Sequence, residues 1–200
     1  EDFATIVDSR AAHLTRYQSR RLARRYRARV EAANGIDPAL GEAVAKGYHK
    51  LLTYKDEYEV ARLHAETLER AVAEQFTDVR AMRFHLAPPF LAKPGPNGEP
   101  VKRTFGPWML RAFGILRHFR RVRGTVLDPF GYTAERRMER GLVAEYETDM
   151  DAILKSWTPA TRDAAIALAA LPLEIRGFGH VKARAAEAAA IRRAELLAAI

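Results

Sequence analysis

A run of titratable side chains, YKDEYEVARL, spans Tyr54–Leu63 of this 200-residue chain. It places Asp56, Glu57 and Glu59 close together, and carboxyl groups taken out of water can serve as general acids and bases. On a helix that also carries an apolar stripe, the same residues suit solvent or ion pairing equally well. A second set of polar groups stands beside glycine turns. Tyr132, Arg136 and Arg137 follow Gly131 in LDPFGYTAERRMERGL, and His180 follows Gly179 in IRGFGHVK. These four are the candidates for contact with a neighbouring surface or an active-site entrance.

Eight arginines lie at positions 10, 16, 20, 21, 24, 25, 27 and 29. On a helix they cover much of the face opposite Leu14, Leu22 and Val30. Such a face can attract phosphates or an acidic partner, or pair with some of the chain's 25 acidic residues. Arg20, Arg24 and Arg27 are the candidates from this set. Of the six histidines, no two stand three or four residues apart, so no helical metal pair is expected. Cysteine is absent, which excludes disulfides, thiolate zinc sites, a cysteine nucleophile and a thiolate-held iron–sulfur cluster within this chain. No phosphate-loop, dinucleotide or nucleophile-elbow motif occurs. The residues themselves therefore name no catalytic, cofactor-binding or metal site.

Hydrophobic residues make up 48% of the chain and charged residues 29%, a globular balance, with a net charge of +8. That charge permits nucleic acid, anionic lipid or an acidic protein as partner without choosing among them. No reading motif for nucleic acid accompanies it. No apolar run is long enough for a membrane span, and nothing resembles a signal peptide. A cytoplasmic location without a membrane partner is the expectation. The first residues, Glu1-Asp2-Phe3, suggest a segment cut from a longer polypeptide.

The elements that position these residues are mostly helical. A three- and four-residue periodicity predicts one helix over residues 9–33, stopped by Asn34-Gly35. Asp37-Pro38 starts the next helix, whose stripe runs from Leu40 to about Gln75 with a break near Thr53. Met82, Phe84 and Leu86 alternate with polar residues and predict a strand. Residues 93–100 form a loop with a tight turn at Asn97-Gly98, and Val101–Phe105 returns as a second strand. Pro107 opens a further helix. Gly131 turns the chain and Thr133 caps a helix to about Ser156, with Met138 and Leu142 inward and Arg136, Arg137 and Arg140 on a charged face. Thr158-Pro159 begins another helix, and an alanine-rich one closes the chain. The expected fold is mainly α, a helical bundle-like single domain over residues 1–200 with one small β-hairpin near residues 81–105. Residues 1–35 are expected as an N-terminal helix that could connect to a preceding domain.

Five phrases in order, YKDEYEVARL, FHLAPPFLA, FGPWMLRAF, DPFGYTAERRMERGLVAEYE and IRGFGHVK, resemble the C-terminal domain of fused bacterial indolepyruvate ferredoxin oxidoreductases, from the 2-oxoacid:ferredoxin oxidoreductase family. The resemblance implies a parent that uses thiamine pyrophosphate, Mg²⁺ and iron–sulfur clusters to decarboxylate 2-oxo acids to acyl-coenzyme A. It implies no catalytic role for this segment, since the cluster-binding and diphosphate motifs are missing here. The expected function is an accessory interaction domain that contacts other domains or protomers of the parent. Alternatives are a docking surface for acidic ferredoxin or coenzyme A at Arg20, Arg24 and Arg27, or a basic helical module for nucleic acid.

Overall fold

In a computed structural model, residues 2–68, 71, 74–75, 82–87, 101–177 and 179–200 are described, apart from the side chain of His180. The chain is mainly helical with one two-stranded antiparallel hairpin, the fold class its periodicities predict. It divides into two compact units, Glu1–Tyr54 with Tyr132–Ile200, and Lys55–Gly131.

In the first unit the single helix expected over residues 9–33 is two helices, α1 (Phe3–Tyr17) and α2 (Arg20–Ile36). Ser19 makes the break, because its side chain accepts the Leu22 amide at 3.2 Å and caps α2. The helix runs through Asn34-Gly35, the expected stop, and ends where Asp37 turns extended. Asp37 then caps α3 (Pro38–Leu52), accepting the amides of Ala39 and Leu40 at 2.7 and 3.1 Å, with Pro38 at the first helical position.

The remaining helices of this unit are α6 (Ala134–Ser156), α7 (Arg162–Ala170) and α8 (Gly179–Ala198). Thr133 caps α6 as the sequence predicts. Thr158 and Thr161 form a capping box around Pro159 ahead of α7. The core is built around α3, which packs against α1, α2, α6 and α7. Leu14, Tyr26, Val30, Leu40, Val44 and Tyr48 have no solvent exposure, and Met150, Ile153 and Leu168 almost none. The two N-terminal helices thus contribute Val7, Ala11, Leu14, Tyr26 and Val30 to this core.

In the second unit, Asp56 caps α4 (Glu57–Leu63), which passes into a π-helical turn at His64–Leu68. Strands β1 (Phe84–Leu86) and β2 (Arg103–Phe105) pair antiparallel with Phe84 opposite Phe105. Next come α5 (Met109–Leu116) and a 3-10 segment, Arg117–Val122. A small core gathers Ala61, Phe84, Met109 and Phe113, with Leu68, Met82 and Leu116 against it. The His64 ring stacks on Phe113 at 5.0 Å and meets Phe84 edge-on. Burial and nearby Lys55 lower its pKa, so this histidine behaves as a packed aromatic. The expected loop at 93–100, with Asn97-Gly98, lies outside the described residues. Among the described residues no helix is long and apolar enough to cross a membrane.

Candidate functional site

The predicted polar residues at the α6 entry separate on folding. Tyr132 and Arg137 are exposed, but Arg136 is buried, which corrects its expected place on a charged face. Its guanidinium lies over the Tyr54 ring at 5.5 Å and 3.9 Å from Glu139. An aromatic face and a carboxylate together offset the loss of water around the charge. Glu139, also buried, accepts from Lys182 at 2.6 Å. Met138 and Leu142 are half-buried on the same helix. Gly131 is buried in a 3-10 turn, Pro129–Tyr132, and its φ is not positive. Among the described residues the left-handed glycines are Gly124, Gly177 and Gly179, at φ of 74°, 95° and 53°. The latter two form the turn into α8 that their sequence context suggests. The His180 side chain lies outside the described residues.

Half of the arginine face is used internally. Arg10 donates to the Ala45 carbonyl at 2.7 Å, Arg27 pairs with Asp8 at 2.7 Å, Arg29 pairs with Asp151 at 2.7 Å, and Arg25 pairs with Glu147. Arg16, Arg20, Arg21 and Arg24 remain exposed. The structure does bring the three candidates together: Arg20, Arg24 and Arg27 line an open groove of about 520 Å³ between α1 and α2, floored by Ala11, Ala12 and Thr15. With Arg27 neutralised by Asp8, two uncompensated cations face this groove.

Folding also joins two histidines that no local spacing relates. His13 Nδ1 and His49 Nε2 share a hydrogen bond of 3.0 Å, and the Tyr26 ring meets His49 edge-on. Tyr26 donates to the same Ala45 carbonyl that Arg10 uses, at 3.0 Å. Burial, His13 and the Arg10 guanidinium push His49 down to a pKa of about 3. The unfolded chain protonates this ring near its ordinary value of 6.5, so between about 6.5 and 3 the unfolded state binds the extra proton. Stability is therefore lost as pH falls through that window. His49→Gln should shrink the drop in urea midpoint between neutral pH and about pH 4, read by circular dichroism.

Of the carboxylates in YKDEYEVARL, Asp56 and Glu59 meet the burial condition for acid–base chemistry but are occupied, while Glu57 is half-buried. Asp56 is buried and pairs with the buried Arg123, Oδ1 accepting from Nη2 at 2.8 Å and Oδ2 from Nε. Its Oδ1 also accepts the Glu59 amide at 2.9 Å as the α4 cap. Glu59 takes a two-pronged pair from Arg62 at 2.6 and 2.9 Å. Arg123 lies over the Tyr58 ring at 5.6 Å, and the Tyr58 hydroxyl donates to Asp128 at 3.0 Å. Asp128 further accepts the amides of Gly124 and Phe130. In the first unit Asp149, buried, takes both prongs of Arg193 at 2.6 and 2.7 Å. Sequence reasoning did not single out Arg123, Asp128 or Asp149. Each meets a partner far along the chain, so no local spacing marks it.

A second cavity, of about 50 Å³, is apolar and lined by Leu51, Tyr146, Leu168, Ile175 and Ala189. This is well below the hundreds of Å³ typical of a substrate pocket. Among the described residues no three His, Asp or Glu side chains are grouped to hold a metal ion. No curated protein matches the chain, and no solved structure does. Residues 3–195 match a family described as a family of unknown function (DUF6537). With nearly the whole chain inside that match, including both compact units and the paired carboxylates just described, the protein belongs to this family.

Proposed function

We propose that the chain is a non-catalytic, cytoplasmic interaction domain of a 2-oxoacid:ferredoxin oxidoreductase of the indolepyruvate type. The observation that carries this reading is the state of its buried acids. Asp56, Glu59, Asp128, Glu139 and Asp149 are all held by partners within the chain, in arrangements that satisfy caps and ion pairs. Carboxylates spent in this way position helices instead of moving protons for a substrate. Two aromatics of the family-like phrases, Trp108 in FGPWMLRAF and Tyr132 in DPFGYTAERRMERGLVAEYE, are exposed, which suits contact with another surface.

The parent's iron–sulfur clusters find no thiolate ligand in this chain. Without cysteine it offers no thiolate to an iron–sulfur cluster, and no described acidic cluster suits Mg²⁺. Thiolate-held clusters are therefore assigned to other parts of the proposed parent. The 200-residue chain alone should give no indolepyruvate-dependent reduction of a viologen dye when coenzyme A, thiamine pyrophosphate and Mg²⁺ are supplied. The full-length polypeptide, assayed alongside, should give it. Turnover by the chain alone, or none by the full-length polypeptide, overturns the proposal.

A further inference from the structure

Helix α5 is apolar on nearly every side. Met109 and Phe113 are buried in the small core, with Leu110, Ala112 and Leu116 against it. The opposite side should then be polar if it met only water. Instead Trp108 and Ile115 are each more than half exposed, as is Phe119 in the adjoining 3-10 segment. Val126 and Leu127, in the turn that follows, are about three-quarters exposed or more.

Cations interleave with these residues. Spacings of three and four place Trp108, Arg111, Ile115 and His118 along one side, all exposed, with exposed Arg121 one turn further. Between Val101 and Gly131 the chain has seven Lys or Arg residues and one acid, Asp128. Asp128 is already taken by Tyr58, Gly124 and Phe130, and of the seven cations only Arg123 has a carboxylate partner among the described residues. The Nε atoms of Arg117 and Arg120 are shielded from water without a hydrogen-bond partner.

We propose that this face docks an acidic protein surface with an apolar centre, Trp108 and Ile115 filling that centre and Arg111 and Arg121 meeting its carboxylates. Aromatic and aliphatic anchors amid arginine are the residue types that dominate protein interfaces. A second copy of the chain fits poorly, because a two-fold contact would set arginine against arginine. Helices that lie in a bilayer segregate cations from the apolar face, whereas here Arg111 sits between Trp108 and Ile115. Nucleic acid would use the arginines but leave Ile115, Val126 and Leu127 without a gain. The inference rests on reading the chain as an interaction domain. Its failure is distinguishable, since the turnover test above does not depend on this face.

The test uses the whole chain with Trp157→Phe, which leaves Trp108 as the sole tryptophan reporter. The probe is a short synthetic peptide in which glutamate alternates with leucine and phenylalanine; polyglutamate, phosphatidylglycerol vesicles and duplex DNA are the comparisons. The acidic–apolar peptide should bind with a dissociation constant on the order of micromolar, weaken with added salt and shift Trp108 emission to the blue. Arg111→Glu with Arg121→Glu should weaken it at least ~10-fold, and lysine at both positions less than ~3-fold. Ile115→Ser should weaken it at both low and high salt. The proposal is overturned if polyglutamate binds as tightly as the peptide, or if vesicles or DNA bind more tightly. Binding without a Trp108 shift, or unaffected by both the charge-reversal and Ile115→Ser variants, overturns it as well.

Discussion

Gly47→Ala should destabilise the chain by about 3 kcal/mol, with a lower urea midpoint and an unchanged slope. A Cβ built at Gly47 falls well inside van der Waals contact with the Ala169 carbonyl oxygen and 3.4 Å from the Tyr146 hydroxyl. The obstructing atom is backbone in α7, so no rotamer change relieves it, and α3 must move from the helix it packs against. That carbonyl also accepts from the buried Tyr146 hydroxyl at 3.0 Å. Displacing it strains a hydrogen bond worth roughly 1 kcal/mol besides the steric cost. Gly141→Ala is the control. It lies exposed in the interior of α6 with nothing within 4 Å of its Cβ, and should stabilise by about 0.5–1 kcal/mol. Equal losses from both substitutions would refute the close approach of α3 and α7.

Asp56→Ala should destabilise the second unit by about 3–5 kcal/mol, because it strands the Arg123 charge away from water. Both side chains are nearly inaccessible, at 2% and 3% exposure, so solvent screening discounts little of this cost. The substitution also removes the α4 cap. Asp56→Asn keeps an oxygen to accept the Glu59 amide and should lose less. Asp56→Ala with Arg123→Met should recover part of the loss, since no charge is left unpaired. Urea titration of the four proteins gives the comparison, and hydrogen exchange should show α4 amides losing protection in Asp56→Ala. A double variant less stable than Asp56→Ala would show that the guanidinium matters chiefly through other contacts, among them the Tyr58 ring.

The helix boundaries most visible in the sequence are those made by a few adjacent residues. Asp37-Pro38, Thr133 and Thr158-Pro159 each cap a helix, and a cap needs only its own side chain and the next few amides. The β1 alternation was visible for the same reason, with Phe84 inward and His85 outward. Ser19 carried an equally local signal, yet the apolar periodicity read over residues 9–33 continues across it and hides the break between α1 and α2. The division between units falls just past Thr53, where the long stripe was expected to weaken. Gly131 looked like a turn residue, but backbone sign depends on how the chain must bend, and Gly124 takes the left-handed conformation.

The candidate residues were less legible, because charge pattern alone does not say which charges fold inward. Arg136 and Arg137 are neighbours of the same type; one lies over Tyr54 and the other faces water. The eight arginines divide according to acids on α1 and α6, Asp8, Glu147 and Asp151, and, for Arg10, the Ala45 carbonyl on α3. The sequence by itself determined a mainly helical chain with one hairpin, without thiolate chemistry, and with an excess of positive charge. Those properties follow from local periodicity and composition. Tertiary structure alone decided that Asp56 meets Arg123, that His13 meets His49, and that Trp108 and Ile115 are exposed. Each depends on segments far apart in the chain being brought within a few ångströms, or kept apart, by the packing of whole helices.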